Sequence, residues 1–181
     1  MKEGGGVKFT ETRLGGVFVV EVEPQTDARG FFARTFCARE FQERGLATNF
    51  VQCSVSHNLR RGTVRGLHYQ RPPAGEVKLV RCTSGALYDV IVDLRESSPT
   101  YLHHVGVELT SRNRRALYVP EMFAHGFQTL EDDTEVFYQM SAFYEPELAT
   151  GIRYDDPRLG IEWPLVVSVV SEKDKLWPLL G

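Results

Sequence analysis

From "FVQCSVS" (50–56) to "TEVFYQMSAF" (134–143) the chain passes through one stretch of strand length after another, each ending at a cluster of glycine, proline, asparagine or aspartate. Between these two lie "GTVRGLHYQ", "VKLVRCTS", "ALYDVIVDL", "HHVGVELT" and "RRALYVP". The breaks "TSG", "ESSPT", "SRN" and "EDD" have room for turns but not for helices. Many short strands joined by turns predict an all-β antiparallel sandwich or barrel, with the jelly roll the leading form.

Upstream, "GVFVVEVE" (16–23) reads as a strand, and "DARGFFARTF" (27–36) as a turn followed by an aromatic extended piece. Short helices are expected at "AREFQERG", ended by Gly45, and at the terminal "SEKDKLWPLL". At 181 residues, with no repeat or linker, the expectation is a single domain, 1–181.

No run of about 18 apolar residues appears, so no membrane span is expected, and "MKEGGGVKF" lacks the apolar middle of a secretory signal. We expect a cytoplasmic protein. Cys37, Cys53 and Cys82 are odd in number and lack metal-type spacing. They read as buried small hydrophobes rather than a disulfide framework or zinc knuckle. A net charge of -3 argues against a nucleic acid polymer as partner. A small anionic ligand stays open, because Arg60, Arg61, Arg65 and Lys78 lie close together, although Arg60 and Arg61 also fit a solvated loop.

In "EVKLVRC" the strand period of two puts Lys78, Val80 and Cys82 on one face and Val77, Leu79 and Arg81 on the other. An ammonium facing a barrel interior is costly unless it is paired or used; the alternative is a side chain that snorkels to the rim. His68 in "RGLHYQ" and His125 in "VPEMFAHGF" could meet on neighbouring strands and invite a metal. A mononuclear site needs three or four converging donors, and a cation, Lys78, stands where an acidic ligand is wanted. No metal is expected.

The motifs "FVQ", "RGLHYQ", "KLVRC", "DVIVDLR", "SPTY", "GVEL", "VPEMFAHGF", "YDDP", "IEWP" and "SEKD" occur in the order found in the dTDP-4-dehydrorhamnose 3,5-epimerase family, which the chain resembles from about residue 16 to 180. The resemblance implies a cupin-type double-stranded jelly roll with short peripheral helices, normally a homodimer. It implies a cofactor-free isomerase acting on a nucleotide-diphosphate sugar: dTDP-4-keto-6-deoxyglucose is inverted at C3 and C5 through an enolate, feeding rhamnose synthesis. Carried over by motif, His68 is the base, Asp174 its orienting carboxylate, Tyr138 the acid on the opposite face, and Lys78 the cation beside the enolate oxygen. Arg29 and Arg65 match the diphosphate ligands, Gln52 a polar site residue, and Phe31 an aromatic segment that in the dimers reaches the partner's nucleotide. Asp89 and His125 match positions lining the site, or form a hydrogen-bonded pair that supports it.

Other readings accompany these. Asp174 could be the N3 member of a capping box with Ser171, and Tyr138 could be an amphipathic core residue easily confused with Tyr144. His57, His103 and His104 match no site position, and surface placements are expected. The chain departs from the family pattern in three places: Arg34 follows the aromatic pair where glutamate is common, "QCSVS" stands for "QDNHS", and Met122 replaces a usual glycine. These leave a CDP- or GDP-linked 4-keto sugar, inversion of one carbon only, or a non-catalytic sugar-nucleotide-binding cupin as alternatives.

Overall fold

A computed structural model describes residues 5–181. Six strands form the first sheet: β1 (Val7–Glu11), β2 (Phe18–Val22), β5 (Gln52–Asn58), β7 (Lys78–Ser84), β10 (Ala116–Val119) and β12 (Thr134–Met140), in the order β1-β2-β10-β7-β12-β5. Five form the second: β6 (Val64–Gln70), β8 (Ala86–Asp93), β9 (His104–Thr110), β11 (Phe123–Thr129) and β13 (Ala149–Gly151), in the order β13-β6-β11-β8-β9. The named strands pair antiparallel, and from β5 to β8 the chain switches sheet at every step. This is the expected jelly roll.

A separate hairpin, β3 (Gln25–Asp27) with β4 (Gly30–Phe32), precedes the helix α1 (Ala38–Gln42), and α2 (Glu172–Lys175) lies near the C-terminus. Both helices fall where the sequence placed them. Strand β1 occupies the glycine-rich start, where no strand was expected, and pairs along its whole length with β2. No helix among the described residues is long and apolar enough to cross a membrane.

The apolar residues divide into three layers rather than one. Leu87, Ile91, Leu117, Phe123, Phe127 and Val136 fill the space between the sheets. The outer face of the first sheet, through Val20, Leu79 and Tyr118, is covered by Phe41 of α1 and by Phe36 and Phe50. The outer face of the second, through Leu67, Val90 and Ala124, is covered by Ile152, Leu159 and the segment carrying Trp163. Central strands are therefore buried on both faces, which is why "ALYDVIVD" reads as a continuous apolar run rather than an alternation.

Two glycines bring the strands at the heart of the second sheet unusually close. A Cβ on Gly66 (φ +127°) would lie 2.6 Å from the Cα of Gly126, and one on Gly126 would lie 2.6 Å from the carbonyl oxygen of Arg65. No other residue fits either place. The pairing of β6 with β11 shifts register between His125 and Phe127, a bulge that sets His68 directly opposite His125.

Candidate active site

Strand β5 explains why the interior has a cleft. Its inward positions are Gln52, Ser54 and Ser56, of which the two serines are too short to fill the space an apolar residue would fill. What remains is a cavity of about 490 Å³ between the sheets, open at the end lined by β5, β6, β7, β12 and α2. The alternation that makes Lys78, Val80 and Cys82 one face puts Lys78 on this inner wall. The register sets Tyr138 against Val80 on one side and Ser54 on the other, one step deeper than Met140 against Lys78.

His68 reaches the cleft from the opposite sheet. Its Nε2 lies 2.6 Å from Oδ1 of Asp174, which sits on α2 and is buried. Ser171 caps that helix, its hydroxyl accepting from the Asp174 N–H at 3.1 Å, so half of the expected capping box is present. The Asp174 carboxylate turns away from the cap, accepting from Gly66 N–H at 3.3 Å and Trp177 Nε1–H at 3.2 Å as well as facing His68. Burial pushes this carboxyl upward, but the hydrogen bonds and the charge of His68 outweigh it and hold it below its ordinary value. A carboxylate so held fixes the imidazole with its proton on Nε2, leaving the Nδ1 lone pair free to act as base.

Tyr138 lines the same cleft from the first sheet, its ring edge-on to that of His125 at 6.2 Å between centroids. Burial drives its phenol well above its ordinary pKa, the nearby charge of Asp89 adds to this, and the Ser56 hydroxyl at 3.2 Å together with the Arg65 charge pull the other way. The phenol therefore keeps its proton at neutral pH. Ser56 and Arg65 are the groups placed to stabilise a phenolate once that proton is given up.

In the same cleft, Nζ of Lys78 lies 2.5 Å from Oε1 of Glu76, with side-chain exposures of only 10% and 13%. His125 also lines the cleft, its Nε2 2.6 Å from Oδ1 of the fully buried Asp89, whose Oδ2 has no partner among the described residues. With each imidazole bonded to its own carboxylate, no group of three or more histidine, cysteine, aspartate or glutamate side chains is gathered for a metal ion among the described residues.

The structure thus brings together His68, Asp174, Tyr138, Lys78, His125, Gln52 and Arg65, with Asp89 immediately behind them. Gln52 has a second task, since its Oε1 accepts the Tyr144 N–H at 2.6 Å and so pins the segment that sets Tyr144 at the mouth. Arg29 and Phe31 lie elsewhere. Arg29 sits at the tip of the β3–β4 hairpin, 90% exposed and ion-paired to Asp27, while exposed Phe31 carries the Arg114 guanidinium 4.1 Å above its ring.

Some sequence expectations need correction. Cys82 is buried, but Cys37 is only partly so and Cys53 is exposed, because β5 is an edge strand that turns its odd positions outward. His57 and His103 are on the surface as expected, whereas His104 is partly buried in β9. Glu76, Ser56 and Trp177 were missed. Glu76 could have been found from the same alternation that placed Lys78, being two residues before it; Trp177 could not, since its contact with Asp174 depends on how the C-terminal segment packs.

Comparison with known proteins agrees with this geometry. A family model described as dTDP-4-dehydrorhamnose 3,5-epimerase matches residues 11–181. The dTDP-4-dehydrorhamnose 3,5-epimerase of Methanothermobacter thermautotrophicus is 47% identical over 174 residues, 94% of this chain and 92% of that one. The crystal structure of the Bacillus anthracis enzyme of the same name, with TDP and PPi bound, superposes with a TM-score of 0.94 at 39% identity, covering 97% of this chain and 100% of that one. The Legionella pneumophila dTDP-6-deoxy-D-glucose-3,5-epimerase, in complex with dTDP-4-keto-L-rhamnose, gives 0.90 at 37% identity, covering 96% and 93%.

Proposed function

The chain belongs to the dTDP-4-dehydrorhamnose 3,5-epimerase family, and from that premise we propose that it converts dTDP-4-keto-6-deoxyglucose to dTDP-4-dehydrorhamnose without a cofactor. The observation that carries the reading is the carboxylate-held His68 on the wall of the cleft formed by the second sheet, with protonated Tyr138 and Lys78 on the wall formed by the first.

His68 removes the proton from the carbon next to the ketone. The C–H electrons move into an enolate, and the Lys78 ammonium stabilises the negative oxygen in a site with little water. Asp174 stabilises the imidazolium formed. Tyr138 then delivers its proton to the opposite face of the same carbon, inverting it; His68 returns its proton to solvent and the Tyr138 phenolate takes one back from solvent. A second round at the other flanking carbon completes the reaction. Arg65 is the cation placed for the diphosphate; its Nε donates to Asn58 at 2.7 Å, which leaves the terminal nitrogens of the fork for phosphate oxygens.

The working form in this reading is a homodimer in the cytoplasm, where a reducing medium keeps three free cysteines unpaired. Its hairpin, carrying Arg29 and Phe31 away from its own cleft, serves the cleft of the second copy. A CDP- or GDP-linked 4-keto sugar, or inversion of one carbon, is the second reading. Its support narrows to Ser54, the one departure in "QCSVS" that faces the cleft, since Cys53 and Val55 point outward.

Incubation in deuterated water with dTDP-4-keto-6-deoxyglucose, followed by proton NMR with His68→Ala as control, tests this. Wash-in at C3 and C5, absent from the control, is expected. Exchange at one carbon would indicate a monoepimerase, exchange only with CDP or GDP analogues would move the substrate, and no exchange with any would overturn the enzymatic reading.

A further inference from the structure

The ammonium that this mechanism needs is not free in the cleft. Glu76, just ahead of β7, and Lys78 at its start both line the cleft, and their side chains meet at 2.5 Å where both are largely shielded from water. An isolated ammonium there would be expensive to bury; with a carboxylate beside it the charge is balanced.

The backbone that carries Glu76 is itself clamped. Val77, next in sequence, donates its N–H to Ser141 Oγ at 2.8 Å and accepts the Ser141 N–H at 3.0 Å. On the other side, the buried Gln70 donates from its amide to the carbonyl oxygens of Ala74 at 3.1 Å and Phe143 at 3.2 Å, and accepts the Glu145 N–H at 2.7 Å. The connection 71–77 is thus tied at both ends to the segment that follows β12. Glu76 projects from a fixed strap rather than from a loose loop.

We propose that Glu76 is a positioning residue for the reaction: its carboxylate takes one of the three Lys78 N–H donors and so aims the remaining two at the place where the ketone oxygen becomes an enolate. This rests on the epimerase reading above. A lysine stem has four rotatable bonds, and nothing but a second anchor at its tip restricts where Nζ points. Because the developing charge, not the bound ketone, gains most from an aimed donor, the effect belongs in turnover rather than in substrate binding. Glu76 is remote in role from Arg65, so affinity for the nucleotide part is independent of it.

The test compares Glu76→Ala and Glu76→Gln with the wild type in kcat and KM for dTDP-4-keto-6-deoxyglucose, in Kd for dTDP, and in melting temperature. A misaimed catalytic group costs on the order of 10²-fold, so Glu76→Ala should lose about 10- to 100-fold in kcat, with KM and the dTDP Kd within about threefold. Glu76→Gln keeps an oxygen acceptor at the same place and should recover most of that loss. A Glu76→Ala kcat within about twofold of wild type overturns the proposal. So does a loss that falls on KM, dTDP affinity and melting temperature together, which would mark Glu76 as merely structural, or a Glu76→Gln variant no better than Glu76→Ala. A wild-type chain silent on dTDP-, CDP- and GDP-linked 4-keto sugars removes this proposal and the epimerase reading together; an active wild type with an indifferent Glu76→Ala removes this one alone.

Discussion

Asp174→Asn changes one charge at the centre of the site and almost nothing of its shape. The native carboxylate is 4% exposed and faces His68 Nε2 at 2.6 Å. An asparagine has one oxygen where the carboxylate has two: with it toward Gly66 N–H, the amide presents N–H to both His68 and Trp177 and the imidazole must turn its proton to Nδ1, whereas the reverse orientation keeps His68 and Trp177 and sets the amide against Gly66 N–H. In the first orientation the base loses its lone pair on the side facing the cleft, and in both the imidazolium loses its counter-charge. For charges about 4 Å apart at an effective dielectric constant of about 20, that attraction is ~4 kcal/mol. The His68 side chain is 44% exposed, and halving the figure for solvent screening leaves about 2 kcal/mol, a factor of about 30 in rate. Where the tautomer is also wrong about another order of magnitude is added, so kcat should fall by about 30-fold to a few hundredfold.

Deuterium wash-in by proton NMR measures this directly, with dTDP affinity as the control. A rate within about fivefold of wild type would refute the tautomer and counter-charge argument together. Stability supplies an independent check, and its sign follows from the direction of the shift. Because the folded carboxyl titrates below its ordinary value of 3.8, the stabilisation it supplies is complete above that pH and is lost as pH falls through the lower folded value. Denaturant midpoints of wild type and Asp174→Asn should therefore differ most at neutral pH and converge on acidification below about 4. A gap that widened in acid would contradict the assignment.

Tyr138→Phe removes the acid but not the base, so His68 should exchange the substrate's α-protons while returning them to the same face. NMR should show wash-in outrunning epimer formation by about tenfold or more, and equal rates would refute Tyr138 as acid. If the hairpin serves a second copy, His68→Ala mixed with an Arg29→Ala, Phe31→Ala double variant should regain about a quarter of wild-type activity after dissociation and reassociation. Half of the resulting dimers would then hold one intact site, and no regain would overturn that arrangement. Met122 adopts φ +62°, a conformation that costs a side chain about 1 kcal/mol. Met122→Gly should raise the unfolding free energy by up to that amount, read as a higher denaturant midpoint, and a fall would mean that Met122 packing outweighs the backbone strain.

How far the sequence could be read depended on the range of the physics involved. Strand identity is local, set by residue type and turn chemistry, so most strands and both helices were legible, and so was the grouping of Lys78, Val80 and Cys82 on one face of "KLVRC", though not which face turned inward. Among those not expected, β1 is a strand by virtue of its partner β2 and β13 by virtue of β6, rather than by their own patterns. Motif resemblance supplied the identities of His68, Asp174, Tyr138 and Lys78 without any view of their contacts. The "DLRESSPT" stretch shows the limit of motifs as functional signals. There Asp93 gathers Arg95, Ser98 and Thr100 into a tight turn, and those bonds hold its carboxyl far below its ordinary value against burial, well away from the cleft.

The tertiary structure decided everything that depends on residues distant in sequence meeting at hydrogen-bond range. His68 and Asp174 are 106 positions apart, and only the packing of α2 against β6 makes them a pair. The close approach of Gly66 and Gly126, the depth of the cleft beneath the short side chains of β5, and the exclusion of Arg29 and Phe31 from the chain's own site are likewise properties of assembled sheets. Sequence determined which chemistry the chain carries, because side-chain chemistry and strand period are local. The fold decided which of those groups share one desolvated space, because that is fixed by long-range register and packing.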